Sequence, residues 1–253
     1  MTPFSRRPRV LGVARASQCI SALVLAGACG TSPTKHVDGV ARGQALFESK
    51  ELSPSTSNLF TCSTCHDPTP GQTRIRKTGA ALAGATLRAT FWDGQEDDLL
   101  RAIDDCRSEF MLANAPLEAN AADAEALFAY LVSLEPGDAN AQPFSVVREV
   151  ADVPRGDAMH GYVVYAQACE QCHGSMHDGD GRLGDIVPVL PEDTLAVHAP
   201  PAYSPRTQRL VFIEKTRHGV FLNYGGEMPP FSLEVLPDTD LADVLEALGV
   251  LGE

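Results

Sequence analysis

The sequence predicts an all-α protein: two helical units in tandem behind an N-terminal export segment. Three observations predict it. The pattern C-x-x-C-H occurs twice, at Cys62, Cys65, His66 and at Cys169, Cys172, His173. Ahead of each stands a glycine with an aromatic one helical turn later, Gly43 with Phe47 and Gly161 with Tyr165. Behind each comes a stretch with apolar residues at i, i+3, i+4 and i+7, one face of an amphipathic helix. These residues are Leu127, Tyr130, Leu131 and Leu134 in the first unit and Leu241, Val244, Leu245 and Leu248 in the second. Asp123 and Asp240 are placed as N-terminal caps or first-turn acids of those helices.

The N-terminal element is read first. Arg6, Arg7, Arg9 and Arg15 precede a short apolar run from Ile20 to Ala28, and no acid lies among them. A basic region, a short apolar region and an Ala26-Gly27-Ala28 end describe a signal peptide over 1–28. The run is too short to span a bilayer as a mature helix. Loss of those four arginines takes the formal net charge from −13 to −17. Cleavage leaves Cys29 first, which resembles the lipidated cysteine of bacterial lipoproteins, although Ala26 stands where that motif usually has Leu. The expectation is a periplasmic protein held to the membrane by a lipid on Cys29 alone, with simple cleavage after Ala28 as the alternative. Residues 29–36 read as a polar tether.

The two C-x-x-C-H motifs carry the chemistry. Two thiols one helical turn apart reach the two vinyl groups of a haem, and the adjacent histidine lies under its iron. Seven Cys and seven His in 253 residues give one chance C-x-x-C-H about 0.005 times. Zinc could use two C-x-x-C pairs but does not explain a histidine directly after both. A redox dithiol belongs near a βαβ pattern, and none is visible. A pair of structural disulfides would be strained across two residues. The expected cofactor is therefore haem c, two per chain, covalently held by Cys62, Cys65, Cys169 and Cys172, with His66 and His173 as axial iron ligands. Composition agrees: only 6% of residues are aromatic, beside 21 glycines and 18 prolines, so another group must fill the core. The net charge excludes a general nucleic-acid binder, which needs a basic footprint.

The order of glycine-aromatic helix, C-x-x-C-H, loop and amphipathic helix resembles class I cytochrome c domains, over 37–135 and 158–253. In that family the first and last helices cross, the glycine permits close approach and the aromatic fills the contact. Residues 136–157, with Pro136, Pro143 and Pro154, read as a linker. Glu48 to Thr61 reads as a surface insert, and Arg74, Arg76 and Lys77 as a solvated basic cluster.

The sixth ligands separate a carrier from an enzyme. A haem with His and Met bound is saturated and suited to electron transfer. Met228, with Gly225, Gly226, Pro229 and Pro230 around it, resembles the distal methionine loop of class I cytochromes. In the first unit Met111 is the expected axial ligand, near the end of a helix covering about 95–113. Cys106 competes, although its helix face also carries Leu99, Ile103 and Phe110, the setting of a buried thiol. The stretch from Ile103 to Met111 is similar to the same region of di-haem, thiosulfate dehydrogenase-type cytochromes, some of which use a thiolate ligand. The primary expectation is an exported di-haem electron carrier between redox protein partners. The alternatives are a di-haem oxidoreductase acting on a small inorganic substrate, or a haem subunit of a larger oxidase or reductase.

Overall fold

The computed structural model describes residues 33–71, 73–135, 142–219 and 228–253. Residues 1–28, read above as a signal peptide, Cys29, Gly225 and Gly226 lie outside the described residues. Among the described residues the regular structure is helical, with no strand beyond an isolated bridge between Phe91 and Glu96. The α-helices run α1 (Pro33–Glu48), α2 (Cys62–Cys65), α3 (Leu99–Glu109), α4 (Ala122–Ser133), α5 (Ala158–Ala168), α6 (Glu170–His173), α7 (Glu192–Val197), α8 (Pro205–Arg217) and α9 (Asp238–Ala247). No helix among the described residues is long and apolar enough to cross a membrane.

Two helix pairs frame the structure, α1 on α4 and α5 on α9. Each crosses at a glycine. A Cβ on Gly43 would lie 2.1 Å from the Ala126 carbonyl oxygen, and one on Gly161 would lie 1.9 Å from that of Asp243. One turn on, the Phe47 and Tyr130 rings meet with centroids 5.5 Å apart. Tyr165 is buried, and its hydroxyl donates to the Gly174 carbonyl at 3.0 Å. Each pair carries its own apolar cluster. The first gathers Leu46, Leu52, Met111, Leu127 and Leu131; the second Val164, Tyr165, Ile213, Leu241, Leu245 and Leu248. Each such buried aliphatic side chain stabilises by about 1.5–3 kcal/mol.

The helix starts differ in kind. Asp98, Asp157 and Ser204 cap α3, α5 and α8 with side-chain oxygens on backbone amides. In α4 and α9 the cap positions are Ala121 and Pro237, and Asp123 and Asp240 serve as first-turn acids facing the positive helix end.

Several loop expectations are corrected. The insert after Phe47 is not merely surface: Leu52, Ser53 and Asn58 are buried. Ser53 Oγ donates to the Met111 carbonyl at 2.5 Å, and Arg107 Nε to that of Leu52 at 3.0 Å. Two cations of the basic cluster are fastened rather than solvated. Lys77 pairs with Asp67 at 2.9 Å and donates to the Ser63 carbonyl at 2.7 Å. Arg76 donates to the Gln167 side chain at 3.0 Å and pairs with Asp240. Arg76 thereby ties the loop after the first C-x-x-C-H motif to both α5 and α9.

Candidate haem sites

In the first motif, Cys62 and Cys65 open and close α2, a single turn, so both thiols project from one short helix. Thr61 and Thr64 fix that turn with a reciprocal capping box. His66 follows at the C-cap with extended backbone. In the second motif Cys169 ends α5, and α6 carries Cys172 and His173.

Both histidines are oriented alike. His66 Nδ1 lies 2.7 Å from the Ala80 carbonyl oxygen, and His173 Nδ1 lies 2.8 Å from that of Pro188. A carbonyl only accepts, so Nδ1 carries the proton and Nε2 keeps its lone pair for a metal. Burial holds both imidazoles below their ordinary pKa, which keeps them neutral and able to ligate. Gly79 backs the first ring: a Cβ there would fall 2.3 Å from His66 Cε1.

The thiols are not those of a redox dithiol. Burial pushes Cys62 up to about 11, Cys65 and Cys169 up to about 12, and Cys172 upward. An attacking cysteine has a depressed pKa; burial moves all four of these the other way, and Cys62 and Cys169 pack on the two apolar clusters.

The second site fits a porphyrin. A cavity of about 690 Å³ is lined by Cys169, Cys172, His173 and Met228, with Phe212, Leu241 and Leu245 among its apolar walls. This volume falls in the ~300–1,000 Å³ range of cofactor pockets. Thr64 and Cys65 of the first motif line the same cavity. Cys65 lies within electrostatic reach of Cys172, and Gln171 Nε2 donates to the Thr64 carbonyl at 3.0 Å. The two motifs therefore abut.

In the first unit Met111 is 4% exposed, packed with Leu46, Leu127 and Leu131 in a cluster that also touches Cys62. Helix α3 spans Leu99–Glu109, shorter than expected, so Met111 sits just beyond it. Burial pushes the Cys106 thiol upward, and the charges of Cys62 and Cys65 add to that shift. Leu99 and Ile103 of the same helix pack on the apolar cluster that Cys62 also touches.

Some residues escaped the sequence reading. The Ala80 and Pro188 acceptors are backbone groups and leave no residue-type signal. His218, at the C-terminal cap of α8, is 1% exposed and bonded to Glu214 at 2.9 Å and to the Val147 carbonyl.

Residues 156–246, about a third of the chain, match the family model described as cytochrome C oxidase, cbb3-type, subunit III. The matched stretch is helical and contains the second C-x-x-C-H motif, so residues 156–246 are similar to a c-type cytochrome domain. Among solved structures, the "as isolated" form of the thiosulfate dehydrogenase TsdBA from Marichromatium purpuratum is similar, with a TM-score of 0.43 and 18% identity. That match covers 86% of this chain and 46% of the other, so the chain spans less than half of it. No curated protein sequence matches.

Proposed function

We propose that the chain is an exported di-haem cytochrome c that relays electrons between redox proteins. Its domains would be 37–135 and 158–253, each holding one haem c. The observation that carries this reading is the placement of His173 and Met228 on one cavity with both cysteines of the second motif. The twin Nδ1-to-carbonyl bonds of His66 and His173 extend the reading to the first motif.

The residues would act as follows. Cys62 and Cys65, and Cys169 and Cys172, hold a haem each through thioethers. His66 and His173 offer Nε2, their rings fixed by the Ala80 and Pro188 carbonyls. Met228 and Met111 offer soft, neutral sulfur, which favours the reduced iron and raises the potential. Haem so held supplies one-electron exchange. The apolar cavity walls exclude water, and the abutting motifs shorten the path between the two centres. The formal net charge of −17 left after loss of residues 1–28 steers the protein toward a basic partner surface. Lipidation of Cys29 would keep it at the membrane.

A second reading has its own observation: Cys106 is carried by α3, whose Leu99 and Ile103 pack on the same apolar cluster as Cys62. A thiolate on the first iron would stabilise Fe(III) and lower that potential, which suits oxidation of a small inorganic substrate. The optical spectrum separates the two. With Met at both irons, Met228→Ala and Met111→Ala each remove about half of the sulfur-to-iron band of the oxidised protein. If Cys106→Ala changes the first haem while Met111→Ala does not, the carrier reading yields to the enzymatic one.

A further inference from the structure

The segment between the two units is bonded far more than a tether requires. Toward the first unit, the Gln142 carbonyl accepts from the Arg88 guanidinium, and Arg148 pairs with Asp93. Toward the second, Ser145 gives both its donors to one carboxylate. Its amide reaches Glu234 Oε2 at 2.8 Å and its hydroxyl Glu234 Oε1 at 2.6 Å. The Leu233 amide donates to the Ser145 carbonyl at 3.3 Å, and the Val147 carbonyl is bonded to His218 Nε2.

These partners flank Met228 on both sides. His218 caps α8, and the next residue, Gly219, lies against Met228 itself: a Cβ on Gly219 would fall 1.7 Å from the Met228 carbonyl oxygen. On the far side, the Phe231 amide donates to the Thr216 carbonyl at 2.8 Å, and Leu233 and Glu234 follow. One short stretch of the connecting segment is therefore tied to the backbone on either side of the methionine.

We infer that Ser145–Val147 is a strap that positions Met228, with Glu234 as its principal positioning residue. The inference rests on Met228 being the sixth ligand of the second haem. A thioether is a weak, neutral donor, and it stays on iron only while the backbone that carries it stays in place. Exchange of such a ligand follows local opening, whose free energy is set by the contacts that opening breaks. The Ser145–Glu234 pair supplies two charge-assisted hydrogen bonds, about twice as strong as neutral ones. It joins the chain after Met228 to a segment that itself grips Arg88 and Asp93 of the first unit. The strap thus links retention of the second haem's sixth ligand to the first unit's loops.

The test is cyanide binding to the oxidised, haem-loaded full chain, followed by rapid mixing. Met228→Ala identifies the second haem's phase by making it fast and by removing its share of the sulfur-to-iron band. Glu234→Ala and Ser145→Ala should each accelerate that phase about fivefold, the loss of one or two net hydrogen bonds. Glu234→Gln, which keeps one acceptor, should fall between Glu234→Ala and the unaltered chain. Arg155→Ala removes exposed ion pairs to Glu246 and Glu253 in the same unit but away from the strap, and should leave the rate unchanged. Wild-type rates in Glu234→Ala and Ser145→Ala, or equal acceleration by Arg155→Ala, would overturn the strap alone. If Met228→Ala leaves both band and rate untouched, the ligand assignment fails and the strap falls with it.

Discussion

On the proposed di-haem reading, Gly79→Ala probes His66, the proximal histidine of the first haem, without replacing a ligand. The backbone of Gly79 is not left-handed, so alanine is refused for lack of space alone. Its Cβ would lie 2.3 Å from His66 Cε1, 2.4 Å from Nδ1 and 2.8 Å from the Cys65 carbonyl oxygen. Ordinary contact begins near 3.4 Å, so the ring must turn or retreat by about 1 Å. The Nδ1 bond to Ala80, 2.7 Å long, then passes beyond hydrogen-bonding reach. That bond makes the imidazole a more basic ligand and so favours Fe(III). Its net worth is about 1 kcal/mol, which for one electron converts to about 40 mV. The first haem's potential should rise by that order, and the second, held by the separate His173–Pro188 bond, should not move. A spectroelectrochemical titration resolves the two. An unmoved or lowered first potential, or an equal shift in both, would refute the reasoning.

Three further outcomes are expected. Gly161→Ala places a Cβ 1.9 Å from the Asp243 carbonyl oxygen, and overpacking of about 1–3 kcal/mol outweighs a helix-propensity gain of about 0.5–1 kcal/mol; a melting curve at or above the unaltered one would contradict this. Arg209→Met removes a 2% exposed guanidinium bonded to the exposed Asp152 and to the Val153, Pro154 and Val250 carbonyls, and a urea midpoint should show a loss of at least about 1–3 kcal/mol from the buried carbonyls left unpaired. The exposed His160–Asp243 pair predicts a pH window. The Asp243 bond raises the His160 pKa above its usual 6.5; burial pushes the Asp243 carboxyl up, but the His160 and Asp157 bonds pull it below its usual 3.8. The histidine's contribution is complete below 6.5 and fades as pH rises through its folded pKa, and the aspartate's fades as pH falls below 3.8. The melting difference between His160→Gln and the unaltered chain should therefore peak near pH 5 and shrink above neutrality, and a difference flat across pH would contradict it.

Much of this was legible in the sequence because the repeated features are short-range. Gly43 with Phe47 and Gly161 with Tyr165 are one-turn patterns, and both mark helix crossings in the structure. The thiol spacing is fixed by a single turn of helix. What stayed hidden is long-range or carried by backbone. The Ala80 and Pro188 carbonyls that orient the histidines lie 14 and 15 residues downstream of them. The grip of Ser145 on Glu234 spans 89 residues, and prolines nearby read simply as loop. Arg76 resembled a solvated cation because nothing local announces Gln167 or Asp240 as its partners. Cys106 kept two readings in the sequence, buried thiol or iron ligand, because its helix face carries Leu99, Ile103 and Phe110; in the fold Leu99 and Ile103 pack on the cluster that Cys62 touches.

The mass of the intact chain after acid–acetone extraction tests the central claim most directly, because thioethers survive that treatment and axial bonds do not. Two C-x-x-C-H motifs predict two retained haems, and joint replacement of Cys169 and Cys172 by alanine predicts one. A folded chain that retains no haem, or the same haem count with and without Cys169 and Cys172, would contradict it.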